Sequence, residues 1–166
     1  MGRITVLRAL SCLLLALPFL AQAQPRTCLV VGISDGDTLT ARCGSPGDYE
    51  QVKVRVAAID APESHQPYGQ RSKQELSRLC YMEQARIAPR DIDRYGRTVA
   101  DVRCRGEDAG RHQVGAGLAW VYERYASRDD GALFKIQYGA RWQRRGLWAD
   151  AEPVAPWDWR RERRGG

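Results

Sequence analysis

The sequence predicts an α+β chain that is mainly β: a five-stranded closed barrel of the OB type, with three helices. Three observations carry this. Val52, Val54 and Val56 alternate with polar residues, the period of a half-buried strand. Cys28 and Cys43 stand symmetrically about Asp35-Gly36, a hairpin signal. The order of patterns is three strands, a helix, two strands and two helices, and a helix between the third and fourth of five strands is the OB arrangement.

The elements follow in chain order. Residues 28–33 are apolar and β-branched and form the first strand. Asp35-Gly36 turns the chain, and 38–43 return as the second strand. Residues 44–48 turn again, and 51–59 are the third strand, stopped by Pro62. Residues 67–82 are helical, with Leu76, Leu79 and Cys80 on one face. Strands over 85–89 and 97–104 flank the polar loop 90–96. Asp108 caps a short helix ending near Gly117, and 118–122 run out of it as an apolar extension. Asp129 or Asp130 opens a last helix through Arg145, with Leu133, Ile136 and Ala140 inward and Gly146 as its stop. The Pro/Trp segment 153–159 reads as irregular chain packed back on the body. No internal repeat and no linker to a second domain is visible.

The first 23 residues have the pattern of a secretory signal peptide. Arg3 and Arg8 precede an apolar run from Leu10 to Leu20, and Ala21-Gln22-Ala23 is a small-x-small cleavage site. The run is shorter than the ~20 residues that span a bilayer. Its removal leaves 143 of the 166 residues, a usual size for one domain. We divide the chain into a signal peptide at 1–23, an OB-fold domain at 24–152 and a Pro/Trp/Arg-rich tail at 153–166. The expected mature protein is a monomer without membrane attachment, exported to the periplasm or secreted. The segment carries two arginines and no acids, so the net charge falls from +6 to +4 on its loss. That excess favours an anionic partner. Much of it lies in Arg160, Arg161, Arg163 and Arg164, which read as a solvated tail. Cys12 leaves with the signal peptide, and Cys28, Cys43, Cys80 and Cys104 remain. Four cysteines in an oxidising compartment predict two disulfides. The turn symmetry selects Cys28–Cys43, which leaves Cys80–Cys104. The absence of any C-x-x-C spacing argues against zinc.

The chemistry is concentrated in three places. Asp37 closes the hairpin in Ser34-Asp35-Gly36-Asp37-Thr38, and Asp60 lies at the end of the third strand. Hard cations take carboxylate, carbonyl and water oxygens, so a barrel that joins these two acids makes a metal site. Glu63, after Pro62, is placed to accept a proton from water beside it. Arg55 precedes these acids in the same segment, and Arg97 ends Asp93-Arg94-Tyr95-Gly96-Arg97. A guanidinium presents a planar fork of donors that matches phosphate oxygens. Tyr95, Tyr122 and Tyr125 offer faces for a base. Each residue alone has an ordinary explanation; their joint occurrence is what points to a phosphodiester. No Ser/His/Asp, Cys/His or Gly-rich phosphate-loop pattern is present.

With these motifs the chain resembles the staphylococcal nuclease homologues, the thermonuclease family. The matching stretches are 34–38, 55–63, 93–97, Gly117-Leu118-Ala119 and Gly146-Leu147-Trp148, in the family's order over about residues 27–150. The resemblance implies an OB-fold barrel with three helices that hydrolyses DNA and RNA with Ca²⁺, Mg²⁺ and Mn²⁺ being further hard ions for such a site. It implies Asp37, Asp60 and the backbone carbonyl of Ala61 on the metal, Glu63 as general base, and Arg55 and Arg97 on the phosphate. Arg94 and Tyr95 match residues near a bound nucleotide's terminal phosphate. Tyr125 matches one of two base-flanking tyrosines, while the other position holds Glu123. Ala109-Gly110 replaces the family's Val-Asn at the second helix, and the loop after Glu63 is shorter. The competing expectation is a non-catalytic nucleic-acid-binding module on the same barrel. Such domains typically lose the metal and arginine set, which this chain keeps.

Overall fold

The computed structural model describes residues 24–165. The expected signal peptide lies outside the described residues. Strands β1 (Arg26–Ile33), β2 (Thr38–Ser45) and β3 (Asp48–Val56) form an antiparallel meander. After the two-residue strand β4 (Ile59–Asp60) comes helix α1 (Gly69–Cys80). Strands β5 (Gln84–Ile92) and β6 (Thr98–Cys104) pair antiparallel, and β5 also pairs with β1. Parallel pairing of β3 with β6, at Val54–Thr98 through Val56–Ala100, closes the sheet. The five long strands thus form the expected OB barrel.

The remaining elements decorate the barrel. The short strand β7 (Glu107–Asp108) leads into helix α2 (Ala109–Gly115), where the Asp108 carboxylate accepts from the Arg111 N–H at 2.9 Å, as the capping reading predicts. Strand β8 (Trp120–Val121) pairs with β4. Helix α3 (Gly131–Trp142) buries Leu133 and Ala140. Val30, Leu39, Val54, Ile87 and Val102 fill the barrel and are essentially inaccessible to solvent. Each such side chain contributes about 1.5–3 kcal/mol by leaving water. Leu76 and Cys80 of α1 close one end of this core. Among the described residues no helix is long and apolar enough to cross a membrane.

Three expectations need correction. The first turn is not a two-residue hairpin. Ile33 faces Leu39, and the Ser34 N–H donates to the Thr38 carbonyl at 2.9 Å, so the loop is longer. A bulge between Val30 and Gly32 absorbs the offset, restoring the register that sets Leu29 opposite Arg42. Cys28 and Cys43 therefore still meet, with Cα atoms 4.4 Å apart, and Cys80–Cys104 is bridged at 5.3 Å.

The third strand does not run to Ile59 as one piece. It stops at Val56, Ala58 takes φ 62°, and Ile59–Asp60 restarts as β4. The break is made by tertiary bonds: the Ala57 N–H donates to the Ala100 carbonyl, and the Ala58 carbonyl accepts from Tyr122.

The tail is not irregular. Pro156–Glu162 form a fourth helix, α4, with Pro156 at its start. Trp157 stacks on Tyr122 with centroids 5.1 Å apart and planes at 6°. A seven-residue helix is marginal alone, and this aromatic contact holds it to the body.

Candidate active site

The break after Val56 decides where the carboxylates sit. β3 carries Arg55 along the barrel wall, and the turn through Ala57 and Ala58 doubles the chain back. The Arg55 guanidinium then bonds to its own downstream segment, with Nη2 donating to the Ile59 carbonyl at 3.1 Å and to Asp60 Oδ1 at 2.9 Å. The same nitrogen reaches Asp37 Oδ2 at 3.2 Å. Asp37 and Asp60 thus lie within hydrogen-bond reach of a single nitrogen atom. Asp37 is fixed further by the Thr38 hydroxyl on Oδ1 (2.8 Å) and the Ala61 N–H on Oδ2 (2.9 Å). Both acids are buried.

The other candidates gather around this pair. Asp37, Arg55, Asp60, Ala61, Glu63, Arg94, Tyr95, Arg97 and Tyr125 all line one open groove of about 740 Å³. Glu63 stands on the rim in a tight turn, where its carbonyl accepts from the Gln66 N–H at 2.8 Å and its N–H donates to Gln66 Oε1 at 3.2 Å. Arg97 is held by Asp93, which accepts from its Nε at 2.7 Å and its N–H at 3.0 Å. Burial alone would raise the Asp93 pKa, but the bonds from Arg97 and Tyr95 outweigh it and the carboxyl falls below its usual range. Tyr95 is largely exposed, with Arg94 and Arg97 over its ring at 4.9 and 5.4 Å. Tyr125 is also exposed and meets Tyr122 edge-on at 4.9 Å. Tyr122 has one face covered by Trp157.

The electrostatics favour a cation. Burial, and then the neighbouring Asp37 carboxylate, push Asp35 up to about 7. Burial also raises Asp60, although Arg160 and Arg55 both bond to it. Burial is the larger cause in both, and the repulsion from Asp37 adds to it, so a positive charge placed between these carboxylates favours their ionised forms. All the side-chain donors are carboxylate oxygens, which suits a hard divalent ion completed by backbone carbonyls and water. Among the described residues, no three His, Cys, Asp or Glu side chains form a closed cage.

One participant escapes the sequence reading. Arg160, from the tail read as solvated, donates from Nη2 to Asp60 Oδ2 at 2.5 Å and from Nη1 to Glu63 Oε1 at 2.7 Å. The usable signal was the i, i+3 spacing of Trp157 and Arg160, which puts them on one face of a helix opened by Pro156.

Residues 53–150, more than half of the chain, match the family described as staphylococcal nuclease homologue. The chain belongs to that family. Known proteins similar to this nuclease homologue share much of its length. A Haemophilus influenzae protein named an uncharacterized endonuclease is 43% identical over 139 residues, 84% of this chain and 75% of its own. The micrococcal nuclease of Shigella flexneri is 36% identical over 141 residues, 80% of this chain and 79% of its own. Protein ParB of Escherichia coli is 36% identical over 163 residues, 93% of this chain and 88% of its own. The glycines of two family motifs in this nuclease homologue meet in space. Gly117 (φ 68°) and Gly146 (φ 54°) touch so closely that a Cβ on Gly146 would lie 2.2 Å from the Gly117 carbonyl oxygen. The Gly117 carbonyl accepts from the Leu147 N–H at 2.8 Å, which ties β8, and through it β4 and Asp60, to the end of α3.

Proposed function

We propose that this chain is an exported endonuclease that hydrolyses phosphodiester bonds of DNA and RNA and depends on a divalent cation, Ca²⁺ first, with Mg²⁺ or Mn²⁺ as possible substitutes. One observation carries the reading: Asp37 and Asp60 converge on Arg55 Nη2, with Glu63 and Arg97 on the same groove. Family membership and the names of the relatives support the nuclease class.

Asp37 and Asp60 would hold the ion together with the Ala61 carbonyl. When bound, such an ion acts as a Lewis acid toward a phosphoryl oxygen. Arg55 and Arg97 donate to the non-bridging oxygens and stabilise the charge that grows on them as phosphorus becomes five-coordinate. Glu63 accepts the proton of the attacking water as the new P–O bond forms. The bond to the leaving sugar oxygen breaks, and that oxygen is protonated from solvent. Arg94 and Tyr95 contact a neighbouring phosphate, and Tyr125 offers its exposed ring to a base. The two disulfides support an oxidising compartment, and hence export.

The test is a cleavage panel on purified mature protein. Single- and double-stranded DNA and RNA are incubated with Ca²⁺, Mg²⁺, Mn²⁺ or EDTA. We expect cleavage with at least one ion, none with EDTA, and a loss of at least about 10²-fold in Arg55→Ala. Binding without cleavage under every ion would replace this reading by the non-catalytic module.

A further inference from the structure

Helix α4 brings a third guanidinium to the carboxylates. Arg160 bonds to Asp60 Oδ2 at 2.5 Å, to Asp60 Oδ1 at 3.3 Å and to Glu63 Oε1 at 2.7 Å. Asp60 is 1% exposed, and with Arg55 on Oδ1 both of its oxygens are taken by arginines. Three contacts without charge hold the helix in this pose. Trp157 lies parallel on Tyr122, its indole meets Trp120 at 5.6 Å, and the Val154 carbonyl accepts from Gln66 Nε2 at 2.7 Å. Gln66 is the residue that also braces the Glu63 turn.

We propose that Asp60 and Glu63, with Asp37 behind them, form a cation site with two alternative occupants: the Arg160 guanidinium carried by α4, and a divalent ion from solution. The inference rests on the reading of Asp37 and Asp60 as metal ligands. Arg160 and the ion need the same oxygens, Asp60 Oδ2 and Glu63 Oε1, and Asp60 already carries Arg55 on Oδ1, so a divalent charge added beside both guanidiniums in a partly buried site is strongly repelled. With Arg160 docked, the metal-binding oxygens of Asp60 are engaged and the Glu63 carboxylate is neutralised by an ion pair. Both groups needed for hydrolysis are then withheld. Entry of a divalent ion expels Arg160, frees Glu63 and loosens α4. Coupling of this kind is reciprocal, so docking of the tail weakens ion binding by the factor by which the ion weakens docking. A tethered guanidinium acts at millimolar effective concentration, enough to compete with a dilute ion.

The experiment is calorimetric titration of Ca²⁺ into mature protein without nucleic acid. Arg160→Gln should bind about tenfold more tightly than wild type, a middling value for coupled sites. Arg161→Gln removes the same charge from the same helix, where Arg161 pairs with Asp158 instead, and should stay within about twofold. Trp157→Ala leaves every carboxylate and arginine in place but removes the stacking, and should also tighten binding. In wild type, Ca²⁺ should raise hydrogen exchange in residues 156–162. Equal or weaker Ca²⁺ binding by both Arg160→Gln and Trp157→Ala overturns the inference while leaving the metal reading intact. Absence of Ca²⁺, Mg²⁺ and Mn²⁺ binding in wild type and both variants overturns the two together.

Discussion

Arg55 and Glu63 stand within one segment but tolerate replacement differently. Arg55 is largely buried and is the shared donor for Asp37, Asp60 and the Ile59 carbonyl. Arg55→Ala would leave two buried carboxylates facing each other, a stability loss of about 3 kcal/mol that accompanies any loss of activity. Glu63 separates the two effects. Its side chain is 41% exposed and, among the described residues, its one charged partner is Arg160, so the pair contributes at most about 1 kcal/mol. Glu63→Gln keeps the shape and removes the basicity. We expect single-turnover cleavage to fall about 10²–10⁴-fold, with a thermal midpoint within a few degrees of wild type. A cleavage rate within about threefold of wild type would remove Glu63 from the role of base.

At the scale of elements, α3 is pinned to the barrel by one charged clip. Asp130, buried just ahead of α3, takes two bonds from Arg90 at 2.8 Å and caps the preceding turn through the Ser127 N–H and hydroxyl, both at 2.8 Å. Arg90 lies in β5 and also pairs with Asp101 of β6. The bonds from Arg90 lower the Asp130 pKa from 3.8 to about 2. A depressed folded-state value means that its stabilisation, about 2 kcal/mol, is fully present above the unfolded value near 3.8. It is lost as pH falls through 2. Asp130→Asn should therefore lower stability at pH 7 and flatten the pH dependence of the urea midpoint between pH 4 and 2. An unchanged acid limb would refute the clip. This scale also separates what the chain discloses from what it conceals. The long strands and three helices were readable because their burial is local and periodic, as Val52, Val54 and Val56 illustrate. The break at Ala58 was not, because its left-handed backbone is imposed by Tyr122 and Ala100, distant in sequence. Helix α4 was hidden for the same reason: Trp157 needs Tyr122 to stack on, and Arg160 needs Asp60 and Glu63. Most of the candidate groove residues were legible from their types and order, and Ala61 and Arg94 only from the family resemblance, but the tail that meets them has no periodic apolar stripe of its own.

Over the whole molecule, the two disulfides brace different parts of the topology. Cys28–Cys43 joins β1 to β2, which the sheet ladder already aligns. Cys80–Cys104 joins the last turn of α1 to the end of β6, elements that are not adjacent in the sheet. It closes a loop of sequence separation 24, for which chain entropy gives about 3 kcal/mol. The cysteines it replaces are fully buried at the core, so Ala at both positions restores most of the packing without leaving a buried polar group. We expect Cys80→Ala/Cys104→Ala to lose about 3 kcal/mol in urea unfolding and roughly 10 °C in thermal midpoint, given a domain of this size. The groove should survive, because the bonds that hold Asp37, Arg55 and Asp60 together come from β2, β3, β4 and Ala61, while α1 touches this region only through Ser72 beside Gly36. Cleavage at 20 °C by the folded variant should thus stay within about twofold of wild type, while the temperature at which activity is lost drops with the midpoint. A variant that kept its midpoint would show that packing of Leu76 and Leu79 and the polar ties of Ser72 and Glu75 hold α1 without the bridge. One that stayed folded but lost cleavage at 20 °C would show that the position of α1 reaches the groove, through Ser72 and its 2.7 Å bond to the Leu118 carbonyl just ahead of β8.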